Sequence, residues 1–156
     1  MSIQCSVDLE IIKKFWLDEV KPPLNNALEI SPTDKLDWAP AEKMISLGNV
    51  FMHIAEASSW WIDKIIDNTN YYDLTPCPSL PKDKIKGLLD DHWQRLEKFF
   101  GRCPGIFEKT YPHTWRGEVH QLKGEWIMMH LLEHDIHHRC QINQYLRILG
   151  ITPPKI

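Results

Sequence analysis

The chain has 156 residues, a formal charge of −3 and 43% hydrophobic residues, among them seven Trp, five Phe and four Tyr. That suffices for one domain, residues 1–156, around a real apolar core, and nothing divides the chain into compositionally different halves. The acidic balance argues against a nucleic-acid surface built on bulk charge. No window approaches the roughly 18 apolar residues of a membrane span, so the expected partners include neither nucleic acid nor membrane.

The stretch Met1–Glu10 lacks a basic segment followed by an apolar one, the pattern of a secretory signal. Cys5, Cys77, Cys103 and Cys140 form no Cys-x-x-Cys, which fits a reducing compartment better than a disulfide framework or a zinc knuckle. A soluble cytoplasmic protein is the expectation.

From Val7 to Ile30, Val7, Ile11 and Phe15, then Val20, Leu24 and Leu28, recur at helical spacing around Pro22-Pro23, which predicts a kinked first helix or two pieces. Ser31–Pro40 reads as a loop. Ser46 offers an N-cap for a second helix running to about Asp67. At about 100° per residue, Leu47, Val50, Phe51, Ile54, Ala57, Trp60, Trp61 and Ile65 cover half its circumference, and His53 falls inside that arc. His53 is therefore expected to point inward.

Asn68–Pro81, with Pro76, Pro78 and Pro81, reads as a loop, and Lys82–Phe100 as a third amphipathic helix stopped by Gly101. Arg102–Glu118 reads as irregular, with room for a short extended piece. The last helix is expected from about Gln121 to Leu149, ending at Gly150 before Thr152-Pro153-Pro154. No segment alternates long enough for a sheet, and no internal repeat is present. The predicted fold is all-α, a four-helix bundle with the last helix central.

That helix carries His130, His134, His137 and His138. Successive imidazoles at 130, 134 and 138 drift by only about 40° per step and share a face. A His-x-x-x-His pair pre-sets two ligand directions, while a catalytic zinc-type centre needs a third protein ligand, for which the inward His53 is the candidate. The pairs 130/134, 134/137 and 134/138 can each share a helix face, so spacing leaves the choice open. His134-Asp-Ile-His137-His138 invites comparison with the zincin motif His-Glu-x-x-His. Asp135 is a methylene shorter than Glu, and an all-helical chain offers no strand edge for a peptide, so a peptidase is not expected. A di-iron bundle is not expected either, because the Glu-x-x-His repeat on two helices is absent.

Leu36-Asp-Trp38-Ala-Pro40, followed by Ser46-Leu-Gly-Asn-Val-Phe-Met-His53-Ile, then His134-Asp-Ile-His-His138-Arg-Cys-Gln141-Ile and Leu146-Arg-Ile-Leu-Gly150, form one ordered pattern over most of the chain. It resembles the DinB/YfiT-like family of metal-binding four-helix bundles. The resemblance implies that His53, His134 and His138 hold the metal, with His130 and His137 as neighbours. Gln141 matches the family and is expected to hydrogen-bond near the metal. Cys140 stands where many relatives have Gly.

Three neutral imidazoles leave a dication's charge uncompensated, so a bound water or thiol becomes acidic enough to react near neutral pH. Two activities follow: hydrolysis by a metal-bound hydroxide, or transfer of a low-molecular-weight thiol, similar to the bacillithiol- and mycothiol-dependent members of the family. Zinc is the first expectation and nickel the second. The alternative is a non-catalytic, stress-related bundle that binds metal or a small molecule. Asp135 or Glu133 is a candidate to orient an imidazole N–H, and no general base is assigned. Trp60, Trp61, Trp115, Tyr145 and His130 are candidate walls of a small-molecule pocket. Tryptophan-rich helix faces make a homodimer the expected assembly.

Overall fold

The computed structural model describes residues 8–74 and 78–155; the sequence features at Cys5, Val7, Pro76 and Cys77 lie outside them. The first helical run opens at α1 (Leu9–Phe15), where Asp8 caps the end by accepting from the Glu10 N–H. It does not break at the prolines. Trp16–Val20 forms a widened π turn, the Lys21 N–H donates to the Trp16 carbonyl, and α2 (Lys21–Ile30) begins with Pro22-Pro23 in its first turn. Proline is tolerated there because first-turn N–H groups have no intrahelical acceptor. Pro23 still cannot return a bond to the Glu19 carbonyl four residues back. Arg139 of the last helix supplies it, its Nη1 donating to Glu19 O at 2.9 Å.

After a 3₁₀ turn at Thr33–Lys35, Ser46 caps α3 (Leu47–Ser58), its Oγ accepting from the Asn49 N–H at 3.4 Å. The helical path continues through a second π segment, Ser59–Ile66, close to the predicted end. α4 (Lys82–Gly101) and α5 (Gly124–Ile148) complete the helices among the described residues. α3 packs on α4 and α5, and α2 packs on the same two, so four helical rods share one core. Trp16, Phe51, Trp93, Phe99 and Tyr145 are its largest buried side chains. Burying an aromatic side chain of this kind stabilises the fold by about 1.5–3 kcal/mol. Among the described residues no helix is long and apolar enough to cross a membrane.

The all-α expectation is corrected between α4 and α5. There β1 (Thr110–Trp115) and β2 (Glu118–Lys123) pair antiparallel, with Tyr111 opposite Leu122 and His113 opposite His120. The last helix consequently starts at Gly124, three residues later than the expected Gln121. Arg116 and Gly117 form the two-residue turn at φ 51° and 83°, and positive φ at both positions matches the twist of the flanking strands. The inward face holds Tyr111, His113, His120 and Leu122. Two of these four are histidines, so no apolar alternation marks the strands. A Cβ on Gly124 would collide with the Ile106 carbonyl, which is why the hairpin can turn into α5 so closely over that loop.

Candidate metal centre

Helical periodicity sets His134 and His138 one turn apart on α5, and the packing of α3 against α5 brings His53 onto them. The ring centroids lie 4.9 Å apart for His53 and His134, 4.9 Å for His53 and His138, and 4.3 Å for His134 and His138. One nitrogen from each falls within 4.8 Å of the other two. His53 Nε2 and His134 Nε2 are 3.1 Å apart. Two ligands at a metal–nitrogen distance of about 2.05 Å in a tetrahedron stand about 3.3 Å apart, so the spacing suits one ion. His137 is exposed and contributes no nitrogen to the cluster, although its ring touches that of His138.

Hydrogen bonds on the far side of two rings decide where their protons sit. The carbonyl of Ile45 can only accept, so the Tyr145 hydroxyl donates to it at 3.1 Å. The Gln141 amide then donates to the Tyr145 oxygen at 3.1 Å, which leaves Gln141 Oε1 to accept from His138 Nδ1 at 2.8 Å. With its proton on Nδ1, His138 keeps a lone pair on Nε2. On the other helix His53 Nδ1 lies 3.4 Å from Glu56 Oε2, while Glu56 Oε1 accepts from the Leu74 N–H at 2.8 Å. Glu56 thereby favours a bare Nε2 on His53 as well.

Both rings are held neutral. Burial and then the nearby His134 lower the His53 pKa against the opposing pull of Glu56. Burial followed by His134 pushes His138 down to about 4. Metal binding needs the imidazoles deprotonated, and near neutral pH these two already are.

His134 differs. Its Nδ1 is buried with no protein partner, and 3.9 Å away Asp135 Oδ1 is equally unpartnered. The other Asp135 oxygen accepts from Trp16 Nε1 at 2.7 Å and from His92 Nε2 at 3.0 Å, wholly out of solvent. Burial by itself would raise the carboxyl pKa. His92 beside it, with the hydrogen bonds from His92 and Trp16 and the His134 ring close by, outweighs burial and holds Asp135 at about 2. A buried anion therefore stands behind His134.

A cleft of about 440 Å³ opens from His53 and His134, walled by Trp60, Trp61, Tyr71, Asp73 and His130. The His53 side chain is 41% exposed into the surface there, against 12% for His134. Trp60 packs edge-on against Tyr71 at 4.7 Å. His130 lies 6.2 Å from His134 and forms a wall. Two expectations are corrected. Tyr145 is 1% exposed and ends the Gln141 relay without lining the cleft, because its position on α5 faces the core. Glu133 is exposed and shares an outer groove with His137 and Cys140, the opposite side of the helix from the triad. Sequence reading missed Glu56, His92 and Trp16. Glu56 had a signal, lying three residues after His53 on the same helix face.

The DinB family model matches residues 15–156. The crystal structure of a DinB-like protein, YjoA, from Bacillus subtilis superposes with a TM-score of 0.68 at 17% identity, covering 94% of this chain and 96% of that one. A DinB-like protein from Bacillus cereus ATCC 10987 gives a TM-score of 0.72 at 17% identity, again over 94% and 96%. At such identity these two likenesses speak for the fold alone. Comparison with curated proteins gives no match.

Proposed function

Because this chain belongs to the DinB family, we propose that it binds one divalent transition-metal ion, zinc or nickel, through His53, His134 and His138. We further propose that it uses the ion as a hydrolase or a low-molecular-weight-thiol transferase acting on a small molecule. The observation that carries this reading is the pair of buried, unpartnered atoms behind the triad, His134 Nδ1 and Asp135 Oδ1. With Nε2 of His53 bare, the 3.1 Å contact between the two Nε2 atoms needs either a proton or a cation between them. In a neutral His134 ring, a proton on Nε2 leaves Nδ1 as a bare acceptor facing a carboxylate oxygen, two buried acceptors opposed. Holding a cation through Nε2 instead, His134 would keep its proton on Nδ1, aimed at Asp135. That arrangement sets a donor opposite the carboxylate, 3.9 Å away, in place of two opposed acceptors.

When bound, such an ion supplies Lewis acidity, making water or a thiol reactive near neutral pH. The chain supplies orientation. Glu56 and Gln141 hold the Nδ1 protons of His53 and His138, and Trp16 and His92 fix the carboxylate of Asp135. Trp60, Trp61 and Tyr71 narrow the approach and exclude water from its sides. The open flank at His53 favours a catalytic centre over a structural one, which proteins close off with a fourth ligand.

The test is turnover by zinc- or nickel-loaded protein, with 1-chloro-2,4-dinitrobenzene plus cysteine for thiol transfer and with 4-nitrophenyl acetate for hydrolysis. Metal-dependent turnover in one assay, abolished in His53→Ala while the helical circular dichroism persists, is the expected result. A metal held without turnover in either assay would overturn the catalytic reading and leave a metal-stabilised binding protein.

A further inference from the structure

A second cleft, about 460 Å³, lies beneath the hairpin and shares two wall residues, Trp61 and His130, with the cleft of the triad. Trp115, His113 and His120 come from the strands, and Trp126 comes from the first turn of α5. The π segment Ser59–Ile66 contributes to the arrangement: Trp60 lines the first cleft, while the adjacent Trp61 lines both. Widened turns of this kind recur where a helix must re-aim side chains at a functional site.

The surface exposes more indole than a stable fold requires. Trp115 is 57% and Trp126 47% exposed, although both belong to this one concavity. Their rings are already arranged as flat walls. His130 stacks on Trp126 at 5.0 Å and 9°, and Trp61 meets both nearly edge-on, at 5.6 Å from Trp126 and 5.2 Å from His130. Among the described residues, neither a carboxylate, a lysine nor an arginine lines the cleft. An ammonium on a ligand would have to shed its water there with no carboxylate to replace it, and a carboxylate would meet only imidazoles. The nearby guanidinium, Arg116, sits over the Trp115 ring at 4.6 Å and so occupies one face of that indole.

We propose that this cleft is a subsite for a flat, uncharged arene or heteroarene, whose reactive substituent projects past Trp61 and His130 to the three-histidine centre. Indole and imidazole faces pair with an aromatic ring through offset stacking and edge contacts, which a saturated ring of the same size cannot reproduce. His130, its ring 6.2 Å from that of His134, lines both clefts, so the substituent passes it on the way to the triad. The catalytic reading of the triad is the premise for calling this ligand a substrate; the binding itself needs no metal.

The test follows the indole N–H signals of the whole chain by NMR, with and without EDTA, during titration with 2-naphthol and with decahydro-2-naphthol. Saturable shifts at Trp61 and Trp126 are expected with 2-naphthol, with binding about tenfold weaker for the saturated analogue. Trp126→Ala and Trp115→Ala, both at exposed positions that leave the core intact, should each weaken 2-naphthol binding by a similar factor. Absent saturation, equal binding of the two alcohols, or unchanged binding in both variants would overturn the subsite. Because the titration is read in EDTA as well, its failure leaves metal binding by the triad standing, and a failure of metal uptake leaves the arene subsite standing.

Discussion

Replacing Gln141 by Leu isolates the relay that fixes the His138 proton. The variant removes the acceptor 2.8 Å from His138 Nδ1 and the donor to the Tyr145 hydroxyl, while Tyr145 keeps its own bond to Ile45 O. His138 then has no group holding its proton on Nδ1 and no brake on ring rotation. Losing such an outer partner typically costs about 10–100-fold in metal affinity, or about 1.4–2.7 kcal/mol. The fold should persist, because the two lost hydrogen bonds contribute about 1 kcal/mol each and the neighbouring core residues Ile142, Tyr145 and Leu146 stay buried. Zinc affinity is measured by competition with a chelating dye at neutral pH, with circular dichroism as the folding control. His137→Ala, an exposed neighbour outside the cluster, should bind as the parent does. Parent-like affinity in Gln141→Leu, or a loss in His137→Ala as large as in Gln141→Leu, would refute the reasoning.

Three further outcomes follow from the packing. Arg139→Met strips the Glu19 carbonyl of the donor that Pro23 cannot replace, so stability to urea should fall by about 1–3 kcal/mol with metal content unchanged; an unshifted midpoint would contradict this. Gly124→Ala forces a methyl against the Ile106 carbonyl and should lower thermal stability by about 1–3 kcal/mol, which calorimetry checks, and a parent-like melting temperature would contradict the packing. The fold holds His138 at about 4, below its ordinary 6.5, so the unfolded chain takes up that proton first. Metal-free protein should therefore be most stable above pH 6.5 and lose stability as pH falls toward about 4; a denaturation midpoint flat across that window would contradict it.

Much of the centre was legible because helical spacing is local. The ladder on α5 and the inward arc of α3 are both read at about 100° per residue, and the packing of those helices does the rest. Glu56 and the step from Gln141 to Tyr145 obey the same spacing. The hairpin escaped notice because its inward positions hold His113 and His120, and because Arg116-Gly117 is a weaker turn signal than Asn-Gly. The support behind His134 had no local signature. Asp135 meets Trp16 across 119 positions and His92 across 43, pairings that exist only once α4, α5 and the first helical run have packed. The π turns were hidden for a similar reason. Pro22-Pro23 announced a disturbed helix, but the donor that reaches the Glu19 carbonyl comes from Arg139, far along the chain.

The central claim, a single metal ion held by His53, His134 and His138, is tested most directly by elemental mass spectrometry of protein purified without chelator, comparing the parent with His138→Ala. The account predicts about one zinc or nickel ion per chain in the parent and its loss in the variant. A parent that carries no metal and takes up none when zinc or nickel is offered, or a variant that retains the full amount, would contradict it.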